Sequence, residues 1–266
     1  MTGVNKRALV GLLGLFAAMT ALLFVPTWTL RYWQAWVFLS VFLGAALAIT
    51  VYLMTRDPGL LERRIYAGPT AEKEKSQKII QSITTLGFVA MLIVPALDHR
   101  FAWSAVPLWV TLGGDVVVAI GFPIIFLVYK ENAFTSATIE VYPEQKVISS
   151  GLYGLVRHPM YLGGLLLFVG MCLALGSWWD FLVFLLMAPA LIWRIFDEEK
   201  LLARELSGYL EYRNKSAASP DTVRLVGSVV AAHWAASHGV AAKHSTEPAR
   251  PPAIVARTMI VPVFGL

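Results

Sequence analysis

The chain has 266 residues, of which 57% are hydrophobic and only 15% are charged. With a mean hydropathy of +0.64, it is too apolar for a water-soluble domain, so we expect lipid to be its solvent. The net charge of +5 comes from Lys and Arg residues that lie between apolar runs and form no basic stripe, which argues against a nucleic-acid partner. The single cysteine, Cys172, excludes a disulfide framework and a thiolate metal site within one chain.

Apolar runs predict an all-α, polytopic transmembrane bundle of about six membrane segments, each near the length that crosses roughly 30 Å of hydrocarbon. Lys6 and Arg7 precede a first run that is too long for the apolar region of a cleavable signal, so we interpret it as a retained span. Asp98, His99 and Arg100 form the predicted connection between the third and fourth runs. The six runs are 8–30, 33–54, 79–97, 105–129, 160–175 and 178–196.

The last two runs are separated only by Gly176 and Ser177, which predicts an antiparallel helical hairpin. Residues 197–215 follow it with leucines at helical spacing between charged residues. This pattern predicts a separate amphipathic helix on the cytoplasmic side of the membrane.

Positive residues predict the orientation of the chain. If the amino terminus is cytoplasmic, only Arg31 and Arg100 among the Lys and Arg residues near the spans fall on the opposite side. The positive-inside rule then places both termini in the cytosol. Asp115, near the middle of the fourth run, is a costly intramembrane carboxylate. A structural role inside the bundle is the favoured interpretation, with a functional role left open.

Two polar clusters flank the hairpin, at 151–163 (GLYGLVRHPMYLG) and 193–199 (WRIFDEE). A hairpin returns both clusters to one membrane face. Arginine offers a planar fork for carboxylates, glutamate accepts from an ammonium group, and tyrosine rings attract cations. These residue types complement S-adenosylmethionine, which carries an amino-acid head group with both charges and a sulfonium cation. The residues concerned are Arg157, Arg194, Glu198, Tyr153 and Tyr161.

The strings RHPMYLG and DEEKLLARELSGYLEY resemble the paired motifs of the isoprenylcysteine carboxyl methyltransferase family and its bacterial relatives. The resemblance covers most of 57–215, including DPGLLERR and ENAFTSATIE. In that family the two motifs bracket a helical hairpin and bind S-adenosyl-L-methionine. The resemblance therefore implies a membrane O-methyltransferase in the bacterial inner membrane. Its partners would be membrane lipids and a lipidic or prenylated carboxylate substrate that enters from the bilayer, with no metal.

The apolar runs and the resemblance together divide the chain. The apolar runs predict two N-terminal transmembrane helices (1–54) and a cytoplasmic loop (55–78) that opens with an Asp-Pro-Gly turn, and the resemblance implies a methyltransferase core with the cofactor site (79–215). The similarity stops near Lys215. The remainder, 216–266, is rich in Ala, Val, Ser and Pro and is predicted to be a divergent, irregular tail.

Site residues follow from the same resemblance. Arg194 matches the arginine beside the methyl-accepting carboxylate, which makes it both the catalytic and the substrate-binding residue. A carboxylate is already ionised at neutral pH and requires no strong base, so His158 is assigned to cofactor binding. Two of the implied cofactor contacts, Gln145 and Lys146, differ in type from the family pattern. The full cofactor-binding set is Gln145, Lys146, Val147, Ile148, Tyr153, His158, Pro159, Met160, Tyr161 and Glu198.

Two other functions stay open at this point. Membrane sterol-type reductases resemble this carboxyl-terminal architecture and bind a nicotinamide cofactor, although the chain has no G-x-G-x-x-G turn. A non-catalytic scaffold or transporter would fit the altered tail and Asp115, and it predicts no cofactor binding. Binding assays with each cofactor would separate the three functions.

Overall fold

The computed structural model describes residues 3–65, 75–132 and 147–217, of which 84% are helical and none lies in a strand. The all-α prediction is therefore confirmed for this part of the chain, while almost all of the predicted tail lies outside it. The helices, in chain order, are α1 (Gly3–Thr27), α2 (Trp33–Arg56), α3 (Pro58–Ile65), α4 (Lys75–Phe101), α5 (Leu108–Glu131), α6 (Leu152–Leu155), α7 (Pro159–Ala174), α8 (Asp180–Glu205) and α9 (Tyr209–Ala217).

Four of these helices, α1, α2, α4 and α5, are long and apolar enough to cross a membrane. Helix α7 is apolar but has only 16 residues, and α8 carries a charged carboxyl-terminal third. The protein is therefore an integral membrane protein with four candidate spans. The expected total of six segments stays a prediction for the α7–α8 hairpin.

The predicted polar loop after α2 is wrong over Pro58–Ile65, because this stretch forms α3. Asp57 caps it: the carboxylate oxygen Oδ1 accepts from the backbone N–H of Leu60 at 2.8 Å, and Pro58 supplies a φ suited to the first helical position. Leu60 and Leu61 are buried in the core. The Asp-Pro-Gly string therefore ends one helix and begins another.

The predicted connection at 98–100 is also wrong, because these residues form the last turn of α4. Asp98 stabilises the true connection from inside the helix end. Its Oδ1 accepts from the backbone N–H of Ser104 at 2.7 Å, and its Oδ2 accepts from the hydroxyl of Ser177. The link between α4 and α5 accordingly runs over 102–107.

The carboxyl-terminal hairpin packs in an unexpected way. Helices α7 and α8 are joined by a turn at 175–179, as predicted, but they contact each other little. Helix α7 lies mainly along α5, and α8 lies mainly along α4. Both pairs are antiparallel. Gly121 meets Leu167 while Gly114 meets Ala174 in the first pair, and Gln77 meets Arg194 while Gly87 meets Met187 in the second. The α4–α5 hairpin and the α7–α8 hairpin are therefore stacked on each other.

Glycines allow α5 and α7 to approach closely. A Cβ atom at Gly170 would lie 2.8 Å from the backbone nitrogen of Val118 and 2.9 Å from the carbonyl oxygen of Gly114. Both neighbours are backbone atoms, which cannot rotate away. In membranes, where lipid tails are as apolar as leucine, this close contact between small residues is a main source of helix association.

Gly170→Ala is expected to lower the stability of the α5–α7 contact by about 1–3 kcal/mol, the usual cost of overpacking. Gly164, on the same helix, has no atom within 4 Å of its would-be Cβ, so Gly164→Ala should be neutral or stabilising by up to about 1 kcal/mol. Thermal unfolding of the two variants in detergent measures the difference. Equal melting temperatures would contradict the packing described.

The predicted separate amphipathic helix at 197–215 is wrong in its boundaries. Helix α8 continues past Phe196 to Glu205, because strong helix formers such as Glu, Lys, Leu and Ala follow without a break. The chain turns only at 206–208, where Gly208 has a φ of +82°, and α9 follows. Its predicted cytoplasmic location stays a prediction.

Asp115 lies on α5 and is 6% exposed. Neither of its carboxylate oxygens has a hydrogen-bond partner among the residues that the structure describes. Its role therefore stays a prediction.

Candidate functional site

The hairpin brings the two predicted polar clusters together. The ring Nε2 of His158, just before α7, lies 2.8 Å from Oε1 of Glu199 on α8. Nη1 of Arg157 lies 3.5 Å from the same oxygen. The expectation that the two clusters are neighbours on one end of the bundle is thereby confirmed.

Pro159 fixes the position of His158. It occupies the first position of α7, where its ring favours the helix and keeps the preceding residue out of the helical conformation. His158 thus stands at the mouth of α7, and its ring meets Tyr161 edge-on with the ring centroids 5.7 Å apart. Its imidazole is directed by Glu199 on one side and by Tyr161 on the other.

Glu199 organises the rim of this site. In addition to His158 and Arg157, its Oε1 accepts from the hydroxyl of Tyr209 at 3.0 Å. Burial by itself raises the pKa of Glu199, but the His158 hydrogen bond, the charges of His158 and Arg157 and the Tyr209 hydroxyl outweigh it, so the pKa lies below its usual value of 4.5. Glu199 is therefore an ionised anchor that ties α9 to the start of α7.

Tyr153 lies on the short helix α6 and is held from two sides. Its hydroxyl accepts from the amide of Asn132 at 3.1 Å, and its carbonyl oxygen accepts from the hydroxyl of Tyr212 at 2.6 Å. Burial raises the pKa of Tyr153 to about 12, so the phenol stays neutral. These bonds tie α6 to the end of α5 and to α9.

Gly151 allows α6 to begin where it does. Its φ of +55° lies in the region that glycine adopts without strain, and a Cβ there would overlap the carboxylate of Glu131. The same carboxylate accepts from the backbone N–H of Leu152 at 3.0 Å. A side-chain carboxylate from α5 thus satisfies an otherwise free amide at the start of α6.

Arg194 is buried, with 2% exposure. Its Nη1 donates to Oε1 of Gln77 on α4 at 2.9 Å. Its Nε and Nη2 are also buried and have no hydrogen-bond partner among the described residues. Two N–H faces of a positively charged fork are therefore available inside the protein.

Two further buried atoms beside Arg194 lack a hydrogen bond of good geometry to any described residue: the hydroxyl of Tyr161 and Oε2 of Glu198. Tyr161 interacts with both Glu198 and Arg194, through charge and through side-chain hydrogen bonding of poorer geometry, so the three side chains are close. We refer to Tyr161, Arg194 and Glu198 as the unpaired polar cluster. Leaving a buried donor or acceptor unsatisfied costs about 1–3 kcal/mol, so a ligand with complementary charges would recover that cost.

The remaining predicted cofactor residues differ in their surroundings. Val147 and Ile148 are half-buried, and Val147 lies next to the Gly208 turn. Met160 is half-buried and packs against the hydrophobic core. Gln145 and Lys146 lie outside the described residues, as does most of the ENAFTSATIE segment.

Several residues that shape the site were not predicted. Glu198 is the residue predicted from the sequence, yet it is Glu199 that binds His158. Tyr209 and Tyr212 are three residues apart on α9, a helical spacing that indicates a shared face. Gln77 gives no signal of its own, because nothing near it in sequence forms part of the site. Glu131 is the first residue of the ENAFTSATIE segment, for which the sequence predicts no role in the site.

These observations define a helical membrane protein with a buried, charged site at one end of its carboxyl-terminal hairpin. Residues 109–207 match the model of the phospholipid methyltransferase family, which includes proteins like isoprenylcysteine carboxyl methyltransferase. The match confirms the resemblance and indicates a membrane methyltransferase. It includes both polar clusters and α7. No curated protein and no solved structure matches the chain.

Proposed function

We propose that this protein transfers a methyl group from S-adenosyl-L-methionine to the carboxylate of an isoprenylcysteine-like or other amphipathic lipid. The unpaired polar cluster is the observation that carries this proposal. It combines a buried cation with free donors and a carboxylate with a free oxygen, within a segment that matches a membrane methyltransferase family. Such a cluster suits two ligands of opposite local charge, placed side by side.

The cofactor would lie toward Glu198 and His158. S-Adenosylmethionine, when bound, supplies an electrophilic methyl group on a sulfonium centre. The free oxygen of Glu198 would accept hydrogen bonds from its ammonium group, and the Tyr161 hydroxyl lies close enough to share in that contact. His158, directed by Glu199, would hold the cofactor's orientation. Val147, Ile148, Tyr153, Pro159 and Met160 belong to the proposed surroundings, together with Gln145 and Lys146.

The acceptor carboxylate would lie against Arg194. Nε and Nη2 of one guanidinium form a fork that fits a carboxylate with two parallel hydrogen bonds. The acceptor needs no deprotonation at neutral pH, so the work of the site is to align the two reactants and exclude water. The ring Nε2 of His158 is already engaged by Glu199, which supports an orienting role over proton abstraction.

Positive residues support a cytoplasmic site. The amino-terminal end of α4, the carboxyl-terminal end of α5 and the start of α7 meet at this end of the bundle, and they carry Lys75, Lys78, Lys130 and Arg157. By the positive-inside rule this end faces the cytosol. We propose that the protein lies in a bacterial inner membrane, with the cofactor entering from water and the acceptor from the bilayer.

The family description favours a second candidate acceptor, the amine of a phospholipid head group. An amine would compete for the carboxylate of Glu198, whereas the buried guanidinium of Arg194 favours an anion, and we therefore rank the carboxylate first. The match to a methyltransferase family favours this function over a nicotinamide-dependent reductase and over a non-catalytic scaffold.

Calorimetry on the purified protein in detergent tests the proposal. We expect S-adenosylmethionine to bind in the micromolar range and NADPH not to bind. Transfer of a radiolabelled methyl group to N-acetyl-S-farnesyl-L-cysteine, with phosphatidylethanolamine as the parallel acceptor, then identifies the acceptor. Base-labile label in the farnesyl compound indicates a methyl ester. Binding of NADPH without binding of S-adenosylmethionine would overturn the proposal. Label found only in the phospholipid would show that the acceptor is the head-group amine and not a carboxylate.

A further inference from the structure

Gln77 joins two charged residues of α8 from the neighbouring helix α4. Its carbonyl oxygen Oε1 accepts from Nη1 of Arg194 at 2.9 Å, and its amide Nε2 donates to Oδ2 of Asp197 at 3.1 Å. The side chain is 5% exposed. The oxygen of this buried amide therefore binds a positively charged residue, and its nitrogen binds a negatively charged one.

The amide is matched to this position by chemistry. A carboxamide offers an acceptor to the guanidinium and a donor to the carboxylate from one planar group. A glutamate here would repel Asp197, and a lysine would repel Arg194. The two hydrogen bonds also fix which end of the amide faces which partner.

Gln77 also affects whether the charge of Arg194 is neutralised by a neighbouring carboxylate. Arg194 and Asp197 are three residues apart on one helix, a spacing at which opposite charges pair directly. Within the described ranges, however, neither Asp197 nor any other carboxylate lies within ion-pair distance of Arg194. Gln77 bridges the two side chains, and Nε and Nη2 of Arg194 make no hydrogen bond of good geometry to a described residue.

We propose that Gln77 is a positioning residue that separates Arg194 from Asp197 and thereby keeps the guanidinium available for the acceptor carboxylate. The inference rests on the proposed function and extends it to acceptor affinity. Gln77 itself touches no reacting atom in this scheme. Its effect should therefore appear in the KM for the acceptor and not in the affinity for S-adenosylmethionine.

Steady-state methylation of N-acetyl-S-farnesyl-L-cysteine by the full-length protein tests this inference. Gln77→Ala should raise the acceptor KM about ten-fold, the effect of about 1.4 kcal/mol, because Asp197 can then pair with Arg194. The double variant Gln77→Ala/Asp197→Asn should recover most of the lost affinity, because the competing carboxylate has been removed. Gln34→Ala, the same substitution at the other end of the bundle, serves as the control and should leave the KM unchanged.

Gln77→Glu keeps the volume of the side chain and its contact with Arg194, so it guards against a folding defect in the alanine variant. It should raise the acceptor KM at least as much, and Asp197→Asn should not rescue it, because the compensating carboxylate is then residue 77 itself. An unchanged KM in both single variants would overturn the inference, as would a defect in Gln77→Ala that Asp197→Asn fails to relieve. Wild-type protein that binds no S-adenosylmethionine would overturn the proposed function instead.

Discussion

Arg194→Ala is expected to lower the kcat/KM of methyl transfer to a carboxylate acceptor by roughly 10²–10⁴-fold. Two charge-assisted hydrogen bonds from Nε and Nη2 would be lost, and each contributes about 1.5–3 kcal/mol, at about 1.4 kcal/mol for each factor of ten. The affinity for S-adenosylmethionine should change little. Radiolabel transfer and calorimetry on the same preparation measure the two effects separately.

Two further variants make this result specific. Arg194→Lys keeps the charge but replaces a planar fork by a point charge, so it should recover only part of the activity. Arg204→Ala removes an exposed arginine near the end of the same helix and should be active. Because Arg194 also binds Gln77, thermal unfolding is needed to show that the alanine variant is folded. A folded Arg194→Ala protein with full activity would remove Arg194 from the acceptor site.

Glu198→Ala is expected to weaken S-adenosylmethionine binding by roughly 10–100-fold, because a buried carboxylate bonded to an ammonium group contributes about 1.5–3 kcal/mol. His158→Ala should weaken it as well, through loss of the ring that Glu199 directs. Glu205→Ala, at the exposed end of α8, is the matched control and should bind normally. Unchanged affinity in both Glu198→Ala and His158→Ala would remove the proposed cofactor site.

The sequence predicts much of this architecture because the relevant signals are local. Runs of apolar residues locate α1, α2, α4 and α5 within a few residues, and a two-residue interruption at Gly176 and Ser177 predicts the hairpin turn. That turn returns the 151–163 and 193–199 clusters to the same end of the bundle. A short turn between two helices can be predicted from the sequence without knowing how the other helices pack.

Other features could not be predicted because they depend on packing between distant segments. The stacking of α7 on α5 depends on facing glycines such as Gly114 and Gly170, which are 56 residues apart in sequence. The contact between Gln77 and Arg194 spans 117 residues. The choice of Glu199 over Glu198 as the partner of His158 depends on the rotation of α8 about its axis, which its contact with α4 sets.

One error was avoidable. Asp57 followed by Pro58 is a recognised start of a helix, with a capping carboxylate and a proline at the first position. In the sequence these residues were interpreted only as the end of α2, because charged residues dominate the segment that follows. The buried Leu60 and Leu61 form the apolar face that would have supported a helix.

The stacking of two hairpins has a consequence for biosynthesis. Gln77 emerges from the ribosome long before Arg194, and at about 5–20 residues per second the interval between them is on the order of ten seconds. Until α8 has been synthesised, the Gln77 side chain on α4 has neither of its hydrogen-bond partners, Arg194 and Asp197. A nascent chain released before Arg194 would lack both of the α8 residues that bind Gln77, so the site can form only after α8 has been synthesised.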